Sequence, residues 1–101
     1  MATTPKALFR GAATVTLTTV LYTVPASTNT VVTNIVVSNT AAAAATFDIS
    51  LDGFKVATLS SIPANTTVVI DLKQVLATTK TITGGASATT VNFHISGAEL
   101  V

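Results

Sequence analysis

The chain has 101 residues, of which 49% are apolar and only 9% are charged, and its formal net charge is +1. Soluble domains average about 25% charged residues, so uncharged side chains must form most of this surface. The absence of Cys excludes disulfides, thiolate metal sites and cysteine nucleophiles, and five dispersed basic residues argue against a nucleic acid-binding face.

The first half of the chain is predicted to alternate strands with turns. Residues 1–13 are predicted to be an extended N-terminal arm that contains a short strand. Alternation of Val, Leu and Tyr with Thr has the period of a half-buried strand, and it predicts strands at 14–18 and 20–24. Pro, Ser and Asn predict a turn at 25–29. Residues 30–38 form a longer predicted strand with Val on both faces, which is typical of a central strand or of one that also meets a partner chain.

The clearest strand in the sequence is predicted at 45–51, where apolar residues alternate with Thr, Asp and Ser. Asp52 and Gly53 follow it and precede another alternating stretch. This pair predicts a type I′ hairpin, because such a turn needs positive φ at both central residues. A further strand is predicted at 66–70.

The last third of the chain mixes helix and strand signals. Residues 71–77 are predicted to form one short helical turn, since Asp71 and Gln74 have the spacing of a capping box. A turn is predicted at 84–87, where two Gly residues occur together. The final predicted strand is 90–97, with alternate residues directed inward.

The whole pattern predicts an all-β fold. Seven or eight short strands with Gly, Pro or Asn between them are typical of a single small antiparallel β-sandwich or jelly roll. We expect this domain to occupy residues 14–101, with the arm at 1–13 outside it. A small barrel is the alternative.

A membrane segment is not expected, although the chain is apolar. Residues 11–47 carry no charge, but the longest unbroken apolar run is 41–45. A bilayer needs about 20 consecutive apolar residues. No secretory signal is expected either, because no apolar stretch follows Lys6 and Arg10.

The sequence offers no recognisable catalytic, cofactor or metal site. His94 is the only imidazole, and it falls on the solvent side of the last predicted strand. Asp48 falls on the solvent side of an alternating strand, and Asp52 is explained by its hairpin. We therefore expect no enzyme activity and no cofactor.

The scarcity of charge is itself a functional signal. Sheet faces covered by Thr, Ala, Val and Asn, with a net charge of +1, give little repulsion against association. A free β-protein of this kind risks edge-to-edge pairing. The composition therefore favours a component of an assembly over a free enzyme.

Two consecutive stretches resemble small bacteriophage virion proteins. Residues 21–26, LYTVPA, lead into the Val-rich stretch TVVTNIVVSN at 30–39, as a Tyr-Thr-Val-Pro turn does in that family. The later stretches at 62–66, 82–87 and 95–99 are similar to its second half. The resemblance covers about residues 14–101, and its motifs are turns and strand ends.

The resemblance implies a capsid decoration protein, a small sandwich that binds the major capsid protein on the outer surface of a phage head. Such a protein is made in the host bacterial cytoplasm and associates with itself, here as a trimer in preference to a dimer. A tail, baseplate or fibre subunit is the alternative, followed by a carbohydrate-binding module. The shell contacts are expected in the arm, and the candidate residues are Pro5, Lys6, Leu8, Phe9 and Arg10.

Overall fold

The computed structural model describes residues 3–101, and that part of the chain contains eight β-strands and no helix. The strands are β1 (Thr3–Ala12), β2 (Thr19–Thr23), β3 (Asn29–Asn39), β4 (Ala45–Leu51), β5 (Phe54–Ile62), β6 (Thr66–Leu76), β7 (Thr81–Ala86) and β8 (Val91–Leu100).

The strands form two antiparallel four-stranded sheets. Sheet I has the order β1-β8-β3-β6, and sheet II has the order β2-β7-β4-β5. This arrangement confirms the predicted all-β sandwich. The edge strands are β1 and β6 in sheet I, and β2 and β5 in sheet II.

The core lies between the two sheets and is built from alternate residues of the central strands. Phe47 of β4 and Phe93 of β8 meet edge to face across it, with ring centroids 6.2 Å apart. The apolar positions predicted to face inward in β4 and β8 are buried. Removal of this apolar area from water is the main force that joins the sheets.

A β-bulge explains why β3 carries Val at both odd and even positions. Thr33 is an extra residue relative to β8, because Val32 pairs with Gly97 while Asn34 pairs with Ser96. The extra residue reverses the alternation. Val32 and Ile35, three positions apart, are therefore both fully buried.

The predicted helical turn at 71–77 is wrong. Residues up to Leu76 continue β6, which pairs with β3 on both sides of a register shift at Leu72 and Lys73. Leu72 and Leu76 share a face in a strand as well as in a helix, so their burial does not decide between the two. Pairing with β3 satisfies the backbone of the whole segment, which one isolated turn cannot do.

The N-terminal segment also differs from its prediction. Residues 3–12 are extended, but they form β1 and pair with β8 from Thr3 to Ala12. The described part of the predicted arm therefore belongs to the sandwich. Its backbone groups find partners along β8, and burial of Leu8 adds apolar contact.

Residues 14–18 form a loop where a strand was predicted. The hydroxyls of Thr14 and Thr19 both donate to the carbonyl of Thr16, at 3.1 and 3.0 Å. Such local bonds compete with strand pairing. The loop lies against Gly85, where a Cβ would be 2.2 Å from the Thr16 oxygen. The predicted turn at 84–87 is likewise wrong, since Gly84 and Gly85 lie inside β7.

The β4–β5 hairpin is as predicted. Asp52 and Gly53 have φ values of 55° and 79°, the positive values that the turn requires.

Candidate interaction surface

The five predicted contact residues divide between the core and the surface of β1. Leu8 is buried at a bulge where β1 carries one extra residue relative to β8. Phe9 packs partly against the core. Pro5, Lys6 and Arg10 are exposed. The first two therefore stabilise the fold, and only the last three are accessible to a partner.

Lys6 is already engaged by a neighbouring strand. Its Nζ lies 3.2 Å from Glu99 Oε2 of β8, and Glu99 also accepts a hydrogen bond from the Tyr22 hydroxyl of β2. Tyr22 is within 2.9 Å of Thr30 Oγ1 on β3. This network, which we call the Glu99 cluster (Lys6, Tyr22, Thr30 and Glu99), closes one end of the sandwich.

The Glu99 cluster changes the ionisation of two of its members. The hydrogen bond from Tyr22 lowers the pKa of Glu99 below its usual range, and the Lys6 ammonium acts in the same direction against the effect of burial. Burial raises the pKa of Tyr22, and its hydrogen bond to the Glu99 carboxylate adds to the rise. At neutral pH the cluster therefore holds an ionised carboxylate and a neutral phenol.

The outer face of sheet I, the face turned away from sheet II, is nearly free of charge. One row of cross-strand neighbours runs from Arg10 through His94 and Val36 to Val69. The next row consists of Ala12, Asn92, Ser38 and Thr67. Apart from Arg10 and His94, these two rows carry short uncharged side chains, which suits contact with another protein surface.

Few charges interrupt that face. Arg10 stands at its β1 edge, and Asp71 and Lys73 stand at its β6 edge. Within residues 3–101, none of these three takes part in an ion pair. They are therefore available to a partner, while Lys6 is held by Glu99.

Asp48, predicted to face solvent, is instead buried, with 3% of its surface exposed. Lys55 Nζ lies 2.7 Å from Asp48 Oδ2, and the backbone N–H of Leu59 donates to Oδ1 at 3.0 Å. The hydrogen bond from Lys55 lowers the pKa of Asp48 despite its burial. The carboxylate is fully used in these contacts, so it holds β5 in place.

Asp48 is covered because β5 bulges over it. Phe47 pairs with Ser60 and Ile49 with Ala57, so β5 has two residues opposite the single Asp48. Leu59, one of the two, has a φ of 44°, in the left-handed region. In the sequence of β5, two apolar residues are adjacent at Val56–Ala57 and two polar residues at Ser60–Ser61, so the alternation is irregular on both sides of the bulge.

The edge of sheet II exposes apolar side chains. Phe54, Val56 and Leu59 of β5 are all exposed, and Phe54 retains 76% of its accessible surface. The other aromatic residues, in contrast to Phe54, are buried or half-buried: Phe9, Tyr22, Phe47 and Phe93. This edge is a second apolar surface, separate from the outer face of sheet I.

The structure contains no enclosed ligand site in residues 3–101. No pocket forms there, and no group of three or more His, Cys, Asp or Glu residues in that range is placed to hold a metal ion. None of the described residues forms a helix of the length and hydropathy needed to span a membrane.

Comparison with known proteins found no matching family model and no curated protein with significant similarity to the chain.

Proposed function

We propose that this chain is a structural protein of a bacteriophage virion, most specifically a capsid decoration protein that binds the outside of the major capsid shell. The observation that carries the proposal is the outer face of sheet I, which is nearly uncharged across four strands. A resemblance of residues 14–101 to small phage virion proteins supports the same role.

The energetics of decoration suit such a face. A stable protein interface buries about 800 Å² on each partner, and apolar area removed from water contributes about 25 cal/mol per Å². Much of this gain is offset by the entropy of association. Many modest contacts, repeated over a shell, then add up to resistance against internal pressure.

The contact residues follow from exposure. Arg10 stands at the β1 edge of the outer face of sheet I with its guanidinium unpaired within residues 3–101, so it is the foremost candidate. Pro5 and Lys6 lie on the same exposed strand. Leu8 and Phe9 contribute indirectly, because they fix β1 against the core.

The proposed partners are the major capsid protein and further copies of this chain, with a trimer at local three-fold positions. The proposed role uses no catalytic residue, cofactor, nucleic acid or membrane. It places the protein on the outer capsid surface after synthesis in the bacterial cytoplasm.

A tail, baseplate or fibre subunit would use the same kind of surface. A carbohydrate-binding module has less support, since sugar sites commonly use aromatic platforms and Phe54 is the one aromatic ring that is largely exposed in residues 3–101.

The deciding experiment is the copy number of this chain in purified particles, measured by quantitative mass spectrometry against the major capsid protein. We expect hundreds of copies, in a ratio to the shell protein that is one or a simple fraction. A few copies per particle would replace decoration with a tail or fibre role. Absence from washed particles would overturn a virion role altogether.

A further inference from the structure

The four edge strands differ in the charges that they carry. Edge strand β2 has none, β5 has Lys55, and β1 has Lys6 and Arg10. Only β6 carries both signs, as Asp71 and Lys73. An exposed edge has unpaired N–H and C=O groups that can accept another strand, and side-chain charges decide which strand that is.

The exposed side chains of β6 are arranged symmetrically. Asp71 and Lys73 are flanked by Val69 and Val75, which are 60% and 70% exposed. All four residues are odd-numbered and belong to the exposed face of the strand, while Leu72 at their centre packs against the core. In each direction from Leu72 the adjacent residue is charged, and the residue two positions beyond that one is an exposed valine.

This symmetry makes β6 complementary to itself. In an antiparallel pair with Leu72 opposite Leu72 of a second copy, each Asp71 faces a Lys73. Each Val69 faces a Val75 of the other copy. Directly opposed residues in such a pair interact most strongly, and unlike charges or two β-branched side chains are favourable neighbours.

Other registers lose this match. If Asp71 lies opposite Asp71 of the second copy, two carboxylates come together and Val69 lies opposite Lys73. If Lys73 lies opposite Lys73 of the second copy, two ammonium groups come together. Directly opposed like charges are destabilising, so the register centred on Leu72 is the favoured one.

The geometry points to a second copy of this chain as the partner of β6: we propose that two copies pair through this strand around a two-fold axis at Leu72. The two copies of sheet I become one continuous eight-stranded sheet, with the strand order β1-β8-β3-β6 followed by its mirror order. Main-chain hydrogen bonds supply the affinity, and the Asp71–Lys73 pairs fix the register.

The opposite edge of sheet I does not offer the same contact. Its strand β1 carries no acidic residue, so two copies of this edge have no unlike charges to place opposite each other. Pro5 also lacks the N–H that a ladder needs. Because the β6 contact uses the same patch on both copies, it closes at two and does not propagate into a fibre.

This inference goes beyond the proposed function and does not depend on it, because it concerns the isolated protein. A two-fold contact through β6 also differs in symmetry from the three-fold association proposed for the shell.

Charge reversal tests the register. Sedimentation velocity of the purified full chain over a wide concentration range should show a monomer–dimer equilibrium. Asp71→Lys and Lys73→Asp should each weaken dimerisation by at least about tenfold, since two attractive pairs become repulsive. The double variant D71K/K73D should restore it to within about threefold, since the pairs are then re-formed with exchanged signs. Arg10→Asp, a matched reversal on the other edge, should leave it unchanged.

Cysteine cross-linking provides an independent test, because the chain has no Cys of its own. An equimolar mixture of Val69→Cys and Val75→Cys should form a mixed disulfide under mild oxidation, since directly opposed Cα atoms lie about 4.5–5.5 Å apart. Either variant alone should not cross-link, because its two copies of the same residue are about 20 Å apart along the strands.

Either of two results overturns the proposal. One is a wild-type chain that stays monomeric throughout, or that forms oligomers indifferent to both single reversals. The other is a double reversal that remains monomeric while its melting temperature equals that of the wild type.

Discussion

The hydroxyl of Tyr22 on β2 donates a hydrogen bond to the carboxylate of Glu99 on β8, and this contact links sheet II to sheet I. Thr30 Oγ1 lies 2.9 Å from the same hydroxyl, and Lys6 Nζ lies 3.2 Å from the same carboxylate. Each polar group of the Glu99 cluster therefore has a partner, which makes this end of the sandwich sensitive to the loss of any one of them.

Tyr22→Phe should lower the free energy of unfolding by about 1–3 kcal/mol, because Glu99 and Thr30 both lose a partner in a partly buried site. Urea unfolding of the single variant and of Tyr22→Phe combined with Glu99→Ala, which removes the acceptor, provides the measurement. If the hydrogen bond is responsible, the cost of Tyr22→Phe will shrink in the second background. Equal costs in both backgrounds would assign the loss to packing.

Stability should fall in acid. The pKa values of Asp48 and Glu99 are lower in the folded chain than in the unfolded one, through hydrogen bonds from Lys55 and Tyr22 respectively. The unfolded chain therefore binds more protons as the pH drops below about 4. The stabilisation is complete above that pH and is lost as the pH falls through the folded-state values. Asp48→Asn and Glu99→Gln should each flatten a plot of melting temperature against pH between about 2 and 5.

A matched pair of phenylalanines tests the position of the core. Phe47→Ala should cost about 3–5 kcal/mol, because Phe47 is 2% exposed and its ring packs against Phe93. Phe54→Ala should change stability by less than about 0.5 kcal/mol, since its ring is in solvent. Comparable losses for the two variants, measured by urea unfolding, would contradict the assignment of the two faces.

The bulge at Leu59 should reverse the usual ranking of Gly and Ala. In a regular strand Gly is less stable than Ala. At Leu59, whose φ is 44°, a residue with a Cβ is strained, and 63% of its surface is exposed. Leu59→Gly should therefore be more stable than Leu59→Ala by about 1 kcal/mol. Thermal unfolding of the two variants decides the question, with the same pair at Ser61, an exposed position that pairs regularly with Thr46, as a comparison.

Docking to viral shells should depend on the outer face of sheet I. Asn92→Lys places a charge on that face, on the central strand β8, and Thr23→Lys adds the same charge to sheet II. The first should weaken binding to shells that lack this protein by about tenfold or more, since the charge must be desolvated. The second should leave binding unchanged. Deletion of residues 2–13 is not a clean alternative, because it removes β1 and Leu8 from the fold.

The elements that could be predicted from the sequence are those in which all local signals favour the same structure. Strand β4 and the Asp52-Gly53 hairpin have both a clear alternation and the required turn chemistry, and both were found. Where two local signals compete, tertiary pairing decides. Asp71 and Gln74 fit a helix cap, but the segment is held by β3 as a strand.

The contact surface was harder to predict for a different reason. The residues chosen in the N-terminal segment include Leu8, which looks accessible in an arm and becomes core once β1 pairs with β8. Asp48 was placed in solvent because the bulge that covers it depends on how β4 and β5 pair. Strand register is a long-range property, and one extra residue reverses every side chain beyond it.

The pairing of β1 with β8 joins segments near opposite ends of the described chain, from Thr3 opposite Leu100 to Ala12 opposite Asn92. During translation β1 leaves the ribosome before β8 and must wait for it before it can enter its sheet. Such distant pairing slows folding and leaves the nascent β1 open to stray strands. Its Pro5, Lys6 and Arg10 suit that interval, because proline and positive charge both discourage premature aggregation.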